Sequence, residues 1–198
     1  MDNQQERLVI QAQLAMLIDC EGSISMRLAQ PDKTRRRRRI VPQVTVSNTS
    51  QSLLDWLQKA QLLLGFPMYI QWVKAHGLGK LPQWRMTIKG VERVSKFLPL
   101  IEDFLVIKNR KAALLKEFIT SRQAAKKTDP YSDRELEIAI DVRTAPSKGK
   151  SWQPKSSETT RQIVEFREIV KTARSTNDIV RPFYESTRNA AEMPVSLV

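Results

Sequence analysis

The chain has 198 residues, 41% of them hydrophobic, which is enough for one folded domain with a real core. It carries 33 lysines and arginines against 21 acids, and its net charge of +12 is typical of proteins that bind a polyanion. Its apolar runs are too short to span a membrane and its polar N terminus does not resemble a signal peptide, so we expect no membrane partner.

The first predicted element is a helix that ends at Gly22. Apolar residues recur at helical spacing from Leu8 to Ile18. Glycine is a common residue just beyond a helix C terminus, where it adopts the left-handed conformation. Two acids, Asp19 and Glu21, lie in the last turn, where the negative end of the helix dipole disfavours them. Acids placed against this preference indicate that they are used for function.

Two predicted strands follow, over residues 23–30 and 40–47, and both alternate polar with apolar residues. Further strands are predicted over residues 68–74 and 84–89. Because alternate side chains point to opposite faces, the polar ones form one surface suited to hydrogen-bonding base edges in a major groove. The loop between the first two strands adds five adjacent arginines. The candidate nucleic-acid contacts are Ser25, Arg27, Arg35, Arg36, Arg37, Arg38, Arg39, Gln43, Thr45, Gln71, Val73, Arg85 and Thr87.

The remaining predicted elements are helices that cover the apolar face of this sheet. They span residues 53–64, 91–101, 109–123, 131–143 and 156–174, and the class is therefore α+β. We expect a core over residues 1–123, a helical extension with a basic loop over residues 124–174, and a weakly ordered tail over residues 175–198. We also expect Trp72 and Trp84 to pack beneath the helices.

Positive charge is concentrated in the strand-rich segment. Residues 22–91 carry twelve lysines and arginines but only two acids, Asp32 and Asp55. A solvated basic surface would spread its charge over the helices as well, so this distribution favours a sheet that lies on nucleic acid. One cysteine and one histidine exclude a metal site built from these ligands, so any metal is expected to be held by oxygen, which favours Mg²⁺.

Residues 14–22, with the sequence LAMLIDCEG, resemble the LAGLIDADG motif of homing endonucleases. They match it at six positions, with Glu21 in place of the second acid, and depart from it at Met16 and Cys20. The order of elements, αββαββα, is also that of one such domain, and the resemblance extends over about residues 8 to 170. No other segment of the chain matches the motif well enough to be a second copy. The chain is therefore most similar to the single-motif, homodimeric members from organelle introns.

The resemblance implies a homodimeric, Mg²⁺-dependent endonuclease that cuts both strands of a specific DNA site. It implies an intracellular location, in an organelle or in the cytoplasm of a bacterium or phage-infected cell. Eight strand residues at about 3.3 Å each cover about eight base pairs. Two subunits would then recognise a pseudo-palindromic site of roughly 18–24 base pairs.

The resemblance also implies roles for particular residues. Glu21 corresponds to the metal-ligating acid, and the carbonyl of Cys20 is a further candidate ligand. Lys108 corresponds to a basic residue that polarises water or stabilises the transition state, with a plain surface lysine as the alternative. Ser47 falls where relatives carry a longer solvent-positioning side chain, and Asp19 is expected to brace the motif. The candidate dimer contacts are Ala12, Ala15, Met16 and Asp19, and the candidate phosphate contacts of the C-terminal loop are Lys148 and Lys150.

Two other functions remain open at this point. The same fold could serve as an RNA splicing factor (a maturase) or as a DNA-binding protein that does not cleave, although Glu21 and Lys108 argue against binding alone. An unrelated basic RNA-binding protein is the other alternative, but RNA-binding sheets usually display aromatic residues for base stacking.

Overall fold

Five α-helices and a four-stranded sheet make up the described part of the chain, which comprises residues 3–29, 39–74, 81–126, 129–144, 161, 164, 165, 167 and 168 of this computed structural model. In chain order the elements are α1 (Asn3–Glu21), β1 (Gly22–Ala29), β2 (Arg39–Asn48), α2 (Gln51–Leu64), β3 (Tyr69–Val73), β4 (Gln83–Lys89), α3 (Val91–Phe97), α4 (Asn109–Ala124) and α5 (Asp133–Thr144). The predicted order of elements is confirmed, while the helix predicted over residues 156–174 and the tail lie largely outside the described residues.

The strands pair in the order β1-β2-β4-β3, and every pair is antiparallel. Alternation along them separates an apolar face from a polar one, as the sequence predicted. The apolar face is buried beneath the helices and includes Ile24, Met26, Val44, Met86 and Ile88. The opposite face carries no helix in the described part of the chain, and we call it the open face.

Trp84 and Trp72 lie opposite each other on the helix side of the sheet, but only Trp84 is covered. Its side chain is 1% exposed, and its indole N–H donates to the carbonyl of Ser50 at 2.8 Å. Trp72 lies on the edge strand β3 and is 59% exposed. The expectation that both tryptophans pack beneath the helices is therefore wrong for Trp72, because the helices do not extend over this edge.

The helix predicted over residues 91–101 is shorter than expected. It ends at Phe97, and two 3₁₀ turns, Leu98–Leu100 and Glu102–Phe104, lead on towards α4. Pro99 accounts for the change, because proline lacks the N–H that an α-helical hydrogen bond requires. The buried side chains of Val94, Phe97 and Leu98 still join the core. Within the described residues, no helix is both long enough and apolar enough to cross a membrane.

Candidate active site and nucleic-acid interface

The open face brings together the strand residues that were predicted to share one surface. Gln43 lies opposite Ser25 on the neighbouring strand and donates to its hydroxyl at 3.1 Å. Thr45 lies between Ser23 and Thr87 on the two flanking strands. Alternation also places residues here that were not among the candidate contacts, namely Ser23, Ala29, Val41, Tyr69, Gln83 and Lys89. The members of the open face are Ser23, Ser25, Arg27, Ala29, Arg39, Val41, Gln43, Thr45, Ser47, Tyr69, Gln71, Val73, Gln83, Arg85, Thr87 and Lys89.

Ser47 and Arg85 are directly opposite each other on β2 and β4. The Arg85 Nε–H donates to the Ser47 hydroxyl at 3.1 Å. The short side chain of Ser47 is thus engaged by a cation on the open face. This contact ties the Arg85 guanidinium to the open face.

The basic loops are less completely described. Arg39 is the first residue of β2, opposite Ala29, rather than part of the connecting loop. The predicted contacts Arg35, Arg36, Arg37 and Arg38 lie outside the described residues, as do Lys148 and Lys150 of the C-terminal loop.

Glu21 is the last residue of α1, and its side chain is exposed where the helix meets the sheet. The next residue, Gly22, begins β1, and Ser23 is already on the open face. Cys20 is also exposed. The chain therefore places an accessible carboxylate at the border between helix α1 and the polar surface of the sheet.

Gly22 makes this border possible, but not in the way predicted. Its φ is not in the left-handed region, which among the described glycines is occupied by Gly65 and Gly90. Instead, a Cβ at Gly22 would lie 2.8 Å from Ile18 Cα and 3.1 Å from the carbonyl oxygen of Thr45. Glycine is required because the end of α1 and strand β2 approach the backbone too closely for any side chain.

Asp19 does not face solvent but caps the segment that leads into α4. Its Oδ2 accepts the backbone N–H groups of Val106, at 2.7 Å, and Ile107, at 3.0 Å. Its Oδ1 accepts the N–H of Lys108 at 2.9 Å. The side chain is 7% exposed. These bonds agree with the bracing role that the sequence analysis gave to Asp19.

Lys108 returns the contact by binding the end of α1. Its Nζ donates to the carbonyl of Ile18 at 2.7 Å and to the carbonyl of Asp19. A cation at a helix C terminus is favoured by the helix dipole and satisfies carbonyls that have no partner within the helix. At 7% exposed, Lys108 is not the surface lysine of the alternative interpretation. The Asp19 carboxylate of α1 thus binds the chain just before α4, and the Lys108 ammonium group binds the C-terminal end of α1. We call this pair of residues the reciprocal cap.

The charges of the reciprocal cap have shifted pKa values. Burial raises the pKa of Asp19, but the hydrogen bonds from Ile107, Val106 and Lys108, together with the Lys108 charge, outweigh burial and lower it. Burial lowers the pKa of Lys108, against the opposing effects of Asp19, Cys20 and Glu21. Lys108 thus lies within the electrostatic range of Glu21 at the border of the sheet.

Helix α1 has an exposed apolar stripe along the side that faces away from its own core. Val9, Ala12 and Met16 follow one another at helical spacing, and Val9 and Met16 are 45% and 65% exposed. Ala15 is fully buried in the chain's own core, and Asp19 is buried in the reciprocal cap. Both side chains are therefore enclosed within one chain, which argues against the predicted contact of these two residues with a second chain. Ala12 and Met16 remain candidates for that contact.

The donor chemistry of the site suits a divalent ion only in part. Carboxylate and carbonyl oxygens at Glu21 and Cys20 are the ligand types that Mg²⁺ prefers. However, the described residues of one chain contain no group of three acidic, histidine or cysteine side chains that could hold a metal.

Comparisons with known proteins show which fold this is. The chain superposes on the homing endonuclease I-CvuI, in complex with its target, with a TM-score of 0.59 and 16% identity over 84% of this chain and 97% of that chain. For the archaeal intron-encoded homing endonuclease I-Vdi141I complexed with DNA, the TM-score is 0.56 and the identity 13%, over 82% and 96%. No protein-family model matches the chain, and no curated protein matches its sequence.

A third structure gives the size of the unit. The LAGLIDADG homing endonuclease I-SmaMI, bound to cleaved DNA, superposes with a TM-score of 0.52 and 18% identity, but this covers only 48% of that chain. The chain thus corresponds to nearly the whole of I-CvuI and to about half of I-SmaMI. The protein has the LAGLIDADG homing endonuclease fold, in the one-motif size, which confirms the resemblance drawn from residues 14–22.

Proposed function

We propose that this protein is a site-specific DNA endonuclease that works as a homodimer. The observation that carries the proposal is the place of Glu21. Its carboxylate is exposed where the apolar stripe of α1 meets the open face of the sheet. If two copies of α1 pack through Ala12 and Met16, two Glu21 carboxylates come together beside a surface suited to DNA.

The open face fits the major groove of double-stranded DNA better than it fits RNA. Its short hydroxyl and amide side chains match the donors and acceptors of base edges. Tyr69 is its one aromatic residue within the described strands, whereas Trp72 points to the helix side. Single-stranded RNA is usually bound by stacking on several aromatic side chains, and this sheet lacks them.

The proposed chemistry is hydrolysis of a phosphodiester bond. Divalent ions, when bound, would supply an activated water and relieve charge on the phosphate, and Glu21 with the Cys20 carbonyl would hold them. Lys108 uses two of its three donors on the α1 carbonyls, which leaves the third for a phosphate oxygen. Its charge stabilises the negative charge that develops in the transition state. The reciprocal cap keeps this ammonium group at a fixed distance from Glu21.

The test begins with selection of binding sites from a random pool of double-stranded DNA by the Glu21→Gln variant. This change keeps the size of the side chain but removes its charge, so binding should survive. Selected sites should be about 18–24 base pairs long and pseudo-palindromic. The wild-type protein should cut them on both strands when Mg²⁺ is added, and Glu21→Gln should not.

Glu6→Gln is the matched control, because Glu6 is on the same helix but forms an exposed ion pair with Lys59. It should cut like the wild type. Cleavage by Glu21→Gln at the wild-type rate would refute the catalytic assignment. A parallel selection is made from a random RNA pool, and tighter binding of its products than of any duplex DNA would favour the splicing-factor function instead.

A further inference from the structure

The arginine-rich loop is attached to a part of the sheet that extends beyond its neighbours. Strand β2 pairs with β4 only from Gln43 onward, whereas its pairing with β1 continues to Arg39, opposite Ala29. Residues 26–29 and 39–42 therefore form a two-stranded extension, which we call the ribbon. A two-stranded hairpin is at best marginally stable alone in water. Another element must hold the ribbon in place.

Both edges of the ribbon have backbone groups that point outward. Pro42 has no N–H, and its carbonyl accepts the N–H of Gly90 at 2.9 Å, so its backbone faces away from β1. Opposite residues in antiparallel strands exchange both hydrogen bonds or neither. The carbonyl of Met26, opposite Pro42, therefore points to the outer edge. The N–H of Ile40 points to the other edge, beyond the end of β4.

Two side chains bind these outward groups, one from each end of residues 131–144, which comprise α5 and the two residues before it and which we call the α5 segment. The Tyr131 hydroxyl oxygen accepts the N–H of Ile40 at 2.9 Å. The Arg143 guanidinium donates to the carbonyl of Met26 at 3.1 Å. Met26 and Ile40 are 0% and 4% exposed, so without these partners the two backbone groups would lack ready access to water. The α5 segment thus holds the ribbon by both edges.

The α5 segment is itself fixed on α4. The Tyr131 ring stacks on Phe118, with centroids 6.2 Å apart, and the guanidinium of Arg122 lies 4.8 Å from the ring centroid. Glu135 is 2% exposed, pairs with Arg122 at 3.5 Å, and accepts the hydroxyl of Ser121 at 2.8 Å. This network joins the two helices, so the ribbon is tied through α5 to α4 as well.

We propose that α5 is a clamp that sets the position of the ribbon, with Tyr131 and Arg143 as positioning residues for the outer base pairs of each DNA half-site. The proposal rests on the proposed function, since it takes DNA as the ligand of the ribbon. The ribbon is the end of β1 and β2 that lies farthest from Glu21, the proposed centre of cleavage, so its contacts are the outer ones and depend on its angle. Inner contacts come from the part of the sheet where β2 is flanked by strands on both sides. Loss of the clamp should therefore affect the outer base pairs selectively.

The first experiment measures the clamp without DNA, by amide hydrogen exchange on the full chain. Tyr131→Phe removes the acceptor of Ile40, and Arg143→Met removes the donor to Met26. Each should speed exchange in the ribbon by about tenfold, because a buried backbone hydrogen bond is lost. Exchange at Ile88, in the centre of β4, should stay unchanged. The control Arg134→Met breaks an exposed ion pair between α5 and Glu117 of α4, which does not involve the ribbon, and should leave ribbon exchange unchanged.

The second experiment measures the affinity of each variant for the selected DNA site and its single-base substitutions. For Tyr131→Phe and Arg143→Met, the penalty for substitutions at the outermost positions should fall by about tenfold, with little change at the inner ones. Arg143→Lys keeps a donor and should restore part of the discrimination.

Two results would overturn the proposal: ribbon exchange that stays slow in both variants, or an equal loss of discrimination at every position. The second result would mean a merely structural role. If the wild-type protein selects no duplex DNA, the proposed function fails, and with it the role in DNA recognition. The exchange experiment would then still decide whether α5 clamps the ribbon.

Discussion

Replacing Asp19 with asparagine should destabilise the protein more than any other change of a single charge on α1. The carboxylate accepts three backbone N–H groups, two on Oδ2 and one on Oδ1. Asparagine has only one acceptor oxygen, and its NH₂ group must face at least one of these donors. At least one donor in this partly buried site is then left without a partner.

The expected cost follows from these contacts. An unsatisfied buried donor costs about 1–3 kcal/mol, and the remaining bonds weaken because charge-assisted hydrogen bonds are roughly twice as strong as neutral ones. Asp19→Asn should therefore lower the free energy of unfolding by about 2–4 kcal/mol. For a chain of this size that corresponds to a fall in Tm of roughly 5–15 °C.

The pH dependence provides a second check, by urea unfolding at several pH values. The folded-state pKa of Asp19 lies below its ordinary value of 3.8, so its stabilisation is complete above that value and is lost as pH falls through the folded pKa. The difference between wild type and Asp19→Asn should be full at pH 7 and shrink below about pH 4. Asp103→Asn, at an exposed acid near α4, is the control. A loss below about 0.5 kcal/mol, or one that is the same at pH 3 and pH 7, would refute the cap.

Three further predictions concern the same helix and its surroundings. Lys108→Met should lower the free energy of unfolding by less than Asp19→Asn does, because removing a buried charge partly offsets the lost hydrogen bonds to the α1 carbonyls. An equal or larger fall in that free energy, measured by urea unfolding, would contradict this. Gly22→Asn should lower the free energy of unfolding by more than about 2 kcal/mol, because its Cβ would clash with neighbouring backbone. Gly65→Asn, at φ +63° with open space around it, should change thermal stability little. Similar losses of stability in the two variants would show that Gly22 is not needed for close approach. By light scattering the wild type should have about twice the monomer mass of 22.8 kDa, and a monomeric wild type would refute the dimer. Met16→Glu, at an exposed position, should be a folded monomer, whereas Ala15→Glu, which buries a charge in the core, should unfold.

The sequence by itself determined the order and type of the elements and the identity of the two sheet faces. Both follow from local periodicity, since alternation places Ser25 and Gln43 on one face and Ile24 and Val44 on the other whatever packs on them. It also located Glu21 at the end of a helix. The proline at position 99, which disfavours an α-helix, is also evident in the sequence, although the predicted helix over residues 91–101 included it.

Only the tertiary structure decided which side of α1 is enclosed and what its charged residues bind. Ala12 and Ala15 look alike in sequence, yet Ala15 is in the core because α1 lies against its own sheet on that side. Asp19 and Lys108 meet across 89 positions of chain. Such pairings depend on how distant elements pack, and no periodicity encodes them. The two bonds that hold the ribbon have the same origin, because they join β1 and β2 to a helix that is formed much later in the chain.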